Sequence, residues 1–480
     1  MAKVVVLGSG FAGQTAALNL RRHLGKEHEV VVVTPNKKFG YIPSFVWVGV
    51  AKMDVEETQF ELAPVYKRMG ITYINGFARS IYPDDNYVMV ELLEGKGEEK
   101  VEYDYLINAT GPKLNYEATP GLGPDQGGHT VSICTPIHAK EAGEKYLEMV
   151  KRMEQGETVR MLIGTGHGMA TCQGAAFEYI HNIAFDLEER GLLDKAEITW
   201  ISNEQALGDF GVGGMVVKKG GYYASGKIFA ESSFMEKGFR WITGAHVTRV
   251  EEGKAYYKTI ESSEERVEEF DFAMLIPMFA GVPIKYIDKD GNDITGELCA
   301  PNGMLKVDAD YESAGRGFDN WKAEDWPKTY QNPKYPNLFA AGIAFAPPHP
   351  ISKPAKSPDG TPIVATPPRT GMAAGIIGHA VALSIVDMIQ GKSDKPTHTA
   401  SMANFGAACV ASMGKSMTKG NAAVIAMYPV VPNYEKWEYG RDMDVTFGDQ
   451  GLAGHWLKAL LHHMFIYKMR GLPFWWLIPD

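Results

Sequence analysis

Val4, Val5, Val6 and Leu7 form an unbroken apolar run near the start of the chain. A run without polar alternation is what a strand buried on both faces requires. Gly8-Ser9-Gly10-Phe11-Ala12-Gly13 follows, then a helix-spaced pattern to about Leu24, then a second apolar run, EVVVVT, from Glu29. Strand, G-x-G-x-x-G, helix, strand is the order of a dinucleotide-binding unit. The glycines permit the tight turn and a close approach of backbone to a pyrophosphate, which the helix N-terminus then faces. Gly8, Gly10, Phe11, Ala12 and Gly13 are therefore candidate cofactor contacts. The second strand should end on an acid for a ribose hydroxyl. It ends on Thr34-Pro35-Asn36 instead, so Thr34 and Asn36 take that place as candidates.

The same pattern recurs in MLIGTGHGMATCQGAAFEYI (161–180), with a following strand in EITWISNE (197–204). This second turn is crowded by His167 and Cys172. The strand after it ends in Ser202-Asn203, with Glu204 late for a ribose; both features argue against a nicotinamide nucleotide here. YDYLINATGPK (103–113) is a strand ending at Ala109-Thr110-Gly111, and PNLFAAGIAFAPP (336–348) is another ending at Ala341-Gly342. Both resemble the later cofactor contacts of flavoproteins with two dinucleotide domains, although Ile343 stands where an Asp usually follows. Together with the first turn they predict FAD. Pro43, Thr110, Gly111, Gly342, Thr370 and Gly371 complete the candidate cofactor contacts.

Composition narrows the class. The 480 residues are 45% hydrophobic and 22% charged, which is ordinary for a globular protein. A net charge of -10 argues against a nucleic-acid partner. Four cysteines cannot form a secreted disulfide framework. MAKVVVLGSG is already a strand and its turn, so no cleavable signal peptide is expected. No apolar run is read as reaching the roughly 18 to 20 residues of a bilayer span, so no transmembrane helix is expected. No metal-ligand cluster is read.

Cys172 falls near the N-terminal end of a predicted helix, where free amides and the helix dipole favour a thiolate. A thiolate is the form that attacks sulfur. Position alone equally admits a buried structural cysteine.

At this point the sequence resembles the sulfide:quinone oxidoreductases, flavoproteins of the two-dinucleotide-domain class. The resemblance is carried in order by MAKVVVLGSGFAG, YIPSFVWVGV (41–50), YDYLINATGPKL (103–114), VSICTPIHA (131–139), GMATCQGAAFEY (168–179), AMLIPMFAGVP (273–283), NLFAAGIAFAPP (337–348) and ACVASMG (408–414). It implies hydrogen sulfide and a membrane quinone as substrates, FAD as cofactor, and a lipid bilayer surface and a second copy of the chain as partners. It puts the family's three cysteines at Cys134, Cys172 and Cys409, with Cys172 and Cys409 as a redox pair at the flavin. Cys299 lies outside that set and reads as structural. Cys134 takes a position linked in the family to sulfur release or to a covalent flavin bond. His138 matches the family's downstream His, as a proton carrier or a helix-start residue. Lys458 matches a C-terminal Lys that approaches the flavin. A second functional His found in some members is absent from ALGDFGVGG (206–214).

The chain ends LKALLHHMFIYKMRGLPFWWLIPD (457–480). Leu457, Leu460, Leu461, Met464, Phe465 and Tyr467 give an apolar side; His462, His463, Lys468 and Arg470 give a basic one. Trp-rich amphipathic ends with basic flanks suit an interfacial anchor, and a helix packed on the core is the alternative. Tyr41, Phe345, Leu461 and Phe465 are the quinone-site candidates.

The fold class expected is α/β: two Rossmann-type domains plus a C-terminal amphipathic membrane-binding region. The FAD domain is expected at 1–155 and 296–390, the second at 156–295, and the C-terminal region at 391–480. Segments 313–335 and 349–368, rich in Pro, Lys and Trp, are expected to fold over the surface. The expected location is peripheral on a membrane. Three rivals remain: a flavin subunit passing electrons from sulfide to a cytochrome, a type II NADH:quinone reductase, and a non-catalytic flavin-binding protein.

Overall fold

The computed structural model describes residues 1–480 except Lys96 and Gln126. In chain order the elements that position the site are β1 (Lys3–Leu7), α1 (Phe11–His23), β2 (Glu29–Thr34), β3 (Thr72–Tyr82), β4 (Tyr87–Leu92), β5 (Glu98–Glu102), β6 (Tyr105–Asn108), α2 (Pro136–Glu154), β7 (Val159–Thr165) and α3 (Gln173–Arg190). Then come β8 (Ala196–Ile201), β9 (Val216–Lys219), β10 (Tyr222–Ser225), β11 (Arg240–Ile242), β12 (Phe272–Ile276), β13 (Leu338–Ala340), α4 (Gly371–Ile389), β14 (Ala407–Ser412), β15 (Ala422–Met427), β16 (Phe447–Gly451) and α5 (Leu452–Met469).

The first sheet has the order β13-β6-β1-β2-β3-β4-β5. Its strands from β13 to β3 are parallel, and Val4, Val5 and Val6 stand opposite Val30, Val31 and Val32. All six valines are buried in the core cluster, as an apolar run without polar alternation requires. α1 and α4 lie against each other. The second sheet, β11-β8-β7-β12, is wholly parallel. A third sheet, β10-β9-β16-β15-β14, is mixed, and α5 packs across its β14, β15 and β16. The two Rossmann-type units of the sequence reading are thus present.

One expectation, that no apolar run reaches the length of a bilayer span, is corrected. Gly371–Ile389 is long and apolar enough to cross a membrane, with a mean hydropathy of 1.8 over its best window. Its buried residues and its packing on α1 make it a core helix of the first unit. The segments 313–335 and 349–368 run over the surface as expected, and the second covers the second glycine turn, but both are anchored in the core. Trp326 and Tyr330 of the first, and Ile363, Val364 and Ala365 of the second, are buried. Their polar composition hid the few apolar residues that tie them down.

Candidate functional site

The first glycine turn keeps its opening free. Gly8 has a positive φ of 100°, and a Cβ there would overlap the Ala109 carbonyl. Gly10 faces open space, with nothing within 4 Å of where a Cβ would stand. α1 starts there with no side-chain cap. α4 also starts uncapped, at Thr370, and its first residue Gly371 abuts the Phe11 ring. Two helix N-termini with free amides and an unfilled space in front of one suit a dinucleotide pyrophosphate. Gly342, with φ 67°, sits against Ala12. Thr110 bonds its own strand through Asn108 Oδ1 (2.8 Å), leaving Gly111 to turn the chain at φ 73°. Thr34 is not free for a ribose: it is buried and its hydroxyl lies 3.0 Å from Ser9 Oγ. Asn36 is exposed beyond it, and Pro43 is half-buried in the short helix Ile42–Ser44.

The second turn is built differently. Cys172 closes it as the N-cap of α3, in the left-handed conformation (φ 64°, ψ 32°). A non-glycine residue held there costs of order 1–3 kcal/mol and persists only where its surroundings over-determine it. Cys409 is on β14, which packs on α3. Asn182 Nδ2 donates to Ser412 O (3.0 Å) and Ser412 N–H donates to Glu178 Oε2 (3.1 Å), which fixes that packing. Cys134 precedes α2, its N–H donating to Ser132 Oγ (3.1 Å). All three thiols are free, half-buried, and packed against one apolar cluster that includes Ile133, Ala176, Phe177 and Tyr179. Cys299 is buried in the other large cluster, as its structural reading requires.

Burial works against the thiolate expected at Cys172. Burial pushes the Cys172 thiol up to about 12, with Cys134 adding to the rise and the Arg369 charge opposing it. Burial likewise raises Cys409 to about 12 and Cys134 to about 11. Desolvation outweighs the helix terminus because the half-buried thiols pack against an apolar cluster.

Lys458 is buried on α5, where its ammonium donates to Glu178 and to Val410 O (2.9 Å). Its charge opposes the rise at Cys409, while Glu178 adds to it. The structure thus gives Lys458 a carboxylate partner beside Cys409. Glu178 was not singled out in the sequence. The signal was an acid in the otherwise apolar stretch AAFEYI. Arg369, directly before Thr370, was also missed. It shows no salt bridge among the described residues and stands 5.6 Å from the Phe345 ring centroid. His138 is in the first turn of α2, capped by Thr135 Oγ1 (3.2 Å). Its Nε2 is 3.2 Å from Asp125, and its buried Nδ1 has no partner.

Of the quinone candidates, Tyr41 and Phe465 meet. Their rings stack at 6.2 Å, with Phe11 beside both. Leu461 is half-buried on the same helix. Phe345 stands apart, edge-on to Tyr330 at 5.0 Å.

α5 is turned inside out. His455, Lys458, His462 and Lys468 are buried, while Trp456 (49% exposed), Leu460 (53%) and Tyr467 face outward. The polar side finds partners inside: His462 Nδ1 lies 2.8 Å from Ser44 Oγ, and Lys468 donates to Asp480 (2.7 Å). Ile42, Phe474 and Leu477 (72%) extend the exposed apolar surface, whereas Trp475 is buried.

Residues 2–166 match the family described as Pyridine nucleotide-disulphide oxidoreductase. Among curated proteins, the chain is 30% identical to the sulfide-quinone reductase of Aquifex aeolicus, over 98% of its own length and 92% of that protein. The X-ray structure of the sulfide:quinone oxidoreductase from the same bacterium superposes with a TM-score of 0.77 at 28% identity, covering 98% of this chain and 92% of that one. NDH2 from Plasmodium falciparum, solved with NADH, shares the fold at 13% identity, with a TM-score of 0.65 and coverage of 98% and 96%.

Proposed function

The chain belongs to the sulfide-quinone reductase family of FAD-dependent oxidoreductases, and from that premise we propose that it oxidises hydrogen sulfide at Cys172 and Cys409 and reduces a membrane quinone. The observation that carries the reading is the convergence of Cys134, Cys172 and Cys409 on one apolar cluster. When bound, FAD supplies the two-electron carrier between the sulfur site and the quinone.

The residues divide the remaining work. In the oxidised state Cys172 and Cys409 form a bridge. Hydrosulfide attacks the Cys172 sulfur; the S–S bond breaks, a persulfide stays on Cys172, and Cys409 leaves as a thiolate. A thiolate in an apolar cluster needs a compensating charge, which Lys458 supplies from beside Cys409. A second sulfur nucleophile takes the outer sulfur from Cys172, and re-forming the bridge releases two electrons. The raised thiols favour this assignment. Burial disfavours a free protein thiolate, which suits hydrosulfide as the attacking group and the protein sulfur as the one attacked.

The exposed apolar side of α5, with Ile42, Phe474 and Leu477, supports docking on a bilayer surface. Tyr41 and Phe465 lie just inside that surface and are the proposed quinone contacts.

The experiment is anaerobic flavin absorbance on the purified holoprotein, with sulfide added first and a short-chain quinone second. Bleaching by sulfide and recovery on quinone is the expected result. Flavin that ignores sulfide but bleaches with NADH would end the proposal.

A further inference from the structure

Dinucleotides in open α/β sheets bind in the crevice beyond the carboxyl ends of the strands. In the second sheet that crevice lies between the turn after β7 and the loop after β8. It is filled by the chain itself. Gly213 N–H donates to Ser352 Oγ (3.2 Å), and Gln205 Nε2 donates to Lys353 O (2.6 Å). Residues 355–356 and 362–363 then form a small antiparallel hairpin. Its tip is tied down by Lys258 to Asp359 (2.6 Å) and by Asp359 N–H to Ser263 Oγ (2.8 Å).

Beyond the hairpin the chain enters the crevice. Val364 N–H donates to Gly168 O (2.7 Å) and Thr366 N–H to Ala170 O (3.2 Å). Thr171 Oγ1 donates to Pro367 O (2.8 Å). Asn203, at the end of β8, holds the seam: its Nδ2 reaches Val364 O (3.2 Å), Gly168 O (3.1 Å) and Ala170 O (3.0 Å). The fit leaves no slack. A Cβ at Gly168 would come within 2.6 Å of Pro362 O, and one at Gly211 would overlap Thr366 O. Glu204, the acid nearest a ribose position, is buried; Ser202 Oγ donates to it (2.7 Å), as does Phe210 N–H (2.7 Å).

We propose that residues 362–367 are a built-in occupant of the second dinucleotide cradle and are the specificity determinant that excludes NAD(P)H. Electrons then enter only from sulfur at Cys172, at the far end of the same turn. The inference concerns the strap and the nucleotide; it stands or falls separately from the sulfide chemistry.

The test uses holoenzyme and NADH. Nicotinamide fluorescence should detect no binding to the native chain up to millimolar NADH. Hydrogen exchange should find the Val364 and Thr366 amides protected like those of a sheet. A variant with residues 362–367 replaced by Gly-Ser-Gly-Ser-Gly-Ser keeps the chain length, removes the buried Ile363, Val364 and Ala365 anchors and loosens the strap from the crevice; its NADH affinity should rise about tenfold or more. NADH binding to the native chain overturns the proposal. So does loop-like exchange at Val364 and Thr366. A variant that keeps its FAD spectrum but binds no more NADH than the native chain also overturns it. Should the variant not fold, the two native-chain measurements still decide.

Discussion

The two glycine turns of this protein start from the same local grammar and end in opposite states. At the first, Gly10 faces open space and α1 offers uncapped amides. At the second, His167 crowds the turn, Cys172 is held in a left-handed cap, and residues 362–367 lie across the mouth. Local sequence makes both turns possible. What each one does is decided by a partner from far along the chain. Both partners come from one short stretch: 362–367 closes the second crevice, and Thr370-Gly371, a few residues on, opens α4 at the first. The difference teaches that a strand-turn-helix motif fixes a backbone shape, and that its occupant must be found elsewhere.

That contrast can be broken or sharpened by substitution. Cys172→Ser should slow sulfide bleaching of the flavin about a thousandfold or more in anaerobic stopped flow, while FAD stays bound at the other turn. Loss of FAD with the thiol would mean that the two turns are not independent. Lys458→Met leaves Glu178 buried without its cation and should cost about 3 kcal/mol in denaturant unfolding. Adding Glu178→Gln should recover much of that loss, and an unchanged loss would remove the ion pair from the account.

Glu204 offers a pH test of the second turn. Burial, with the Asp209 charge adding to it, raises its pKa to about 8. Folded protein therefore holds a proton that unfolded chain has released above about 4.5. The resulting stability is fully present below that unfolded value and is lost as pH rises through about 8. Relative to Glu204→Gln, the parent should lose about 2 kcal/mol between pH 6 and pH 8. Parallel pH profiles for the two proteins would contradict this. The smallest effects separate the turns directly. Gly10→Ala should leave apoprotein stability within about 0.5 kcal/mol and weaken FAD about tenfold, since the methyl stands in the open space. Gly174→Ala, also in open space but inside α3, should stabilise by a few tenths to about 1 kcal/mol without touching FAD. Equal FAD titrations for Gly10→Ala and parent would show that the first space is not the cofactor's.

Much of the architecture was legible because it is local. The valine runs, the glycine turns and the helices behind them follow from residues within a few positions of one another. The placing of Cys172 and Cys409 against one apolar cluster was not, since it depends on β14 docking on α3 through Asn182, Glu178 and Ser412. Thr34 suited a ribose by position, but its hydroxyl belongs to Ser9. The segment 349–368 read as a surface flap because its Pro and Lys residues outnumber Ile363, Val364 and Ala365, which do the anchoring. For Cys172 the sequence left a thiolate and a buried structural cysteine both open, because it does not show how much apolar surface packs around a position.

The placement of β13 has a consequence for how the molecule is made. β13 covers the open edge of β6, and Asn337 Nδ2 donates to Asp104 O across 233 positions of chain. At roughly 5–20 residues per second of translation, that edge waits about 10–50 s for its neighbour. An unpaired apolar strand edge is a template for aggregation. In the sheet from β7 to β12 the longest such wait is about half as long, because all four of its strands fall within residues 159–276. Proteolysis of ribosome-stalled chains should find 159–276 protected before 1–108. The unit that carries Cys172, though synthesised second, is expected to finish first, and the nascent flavin-binding unit to be the client that needs a chaperone.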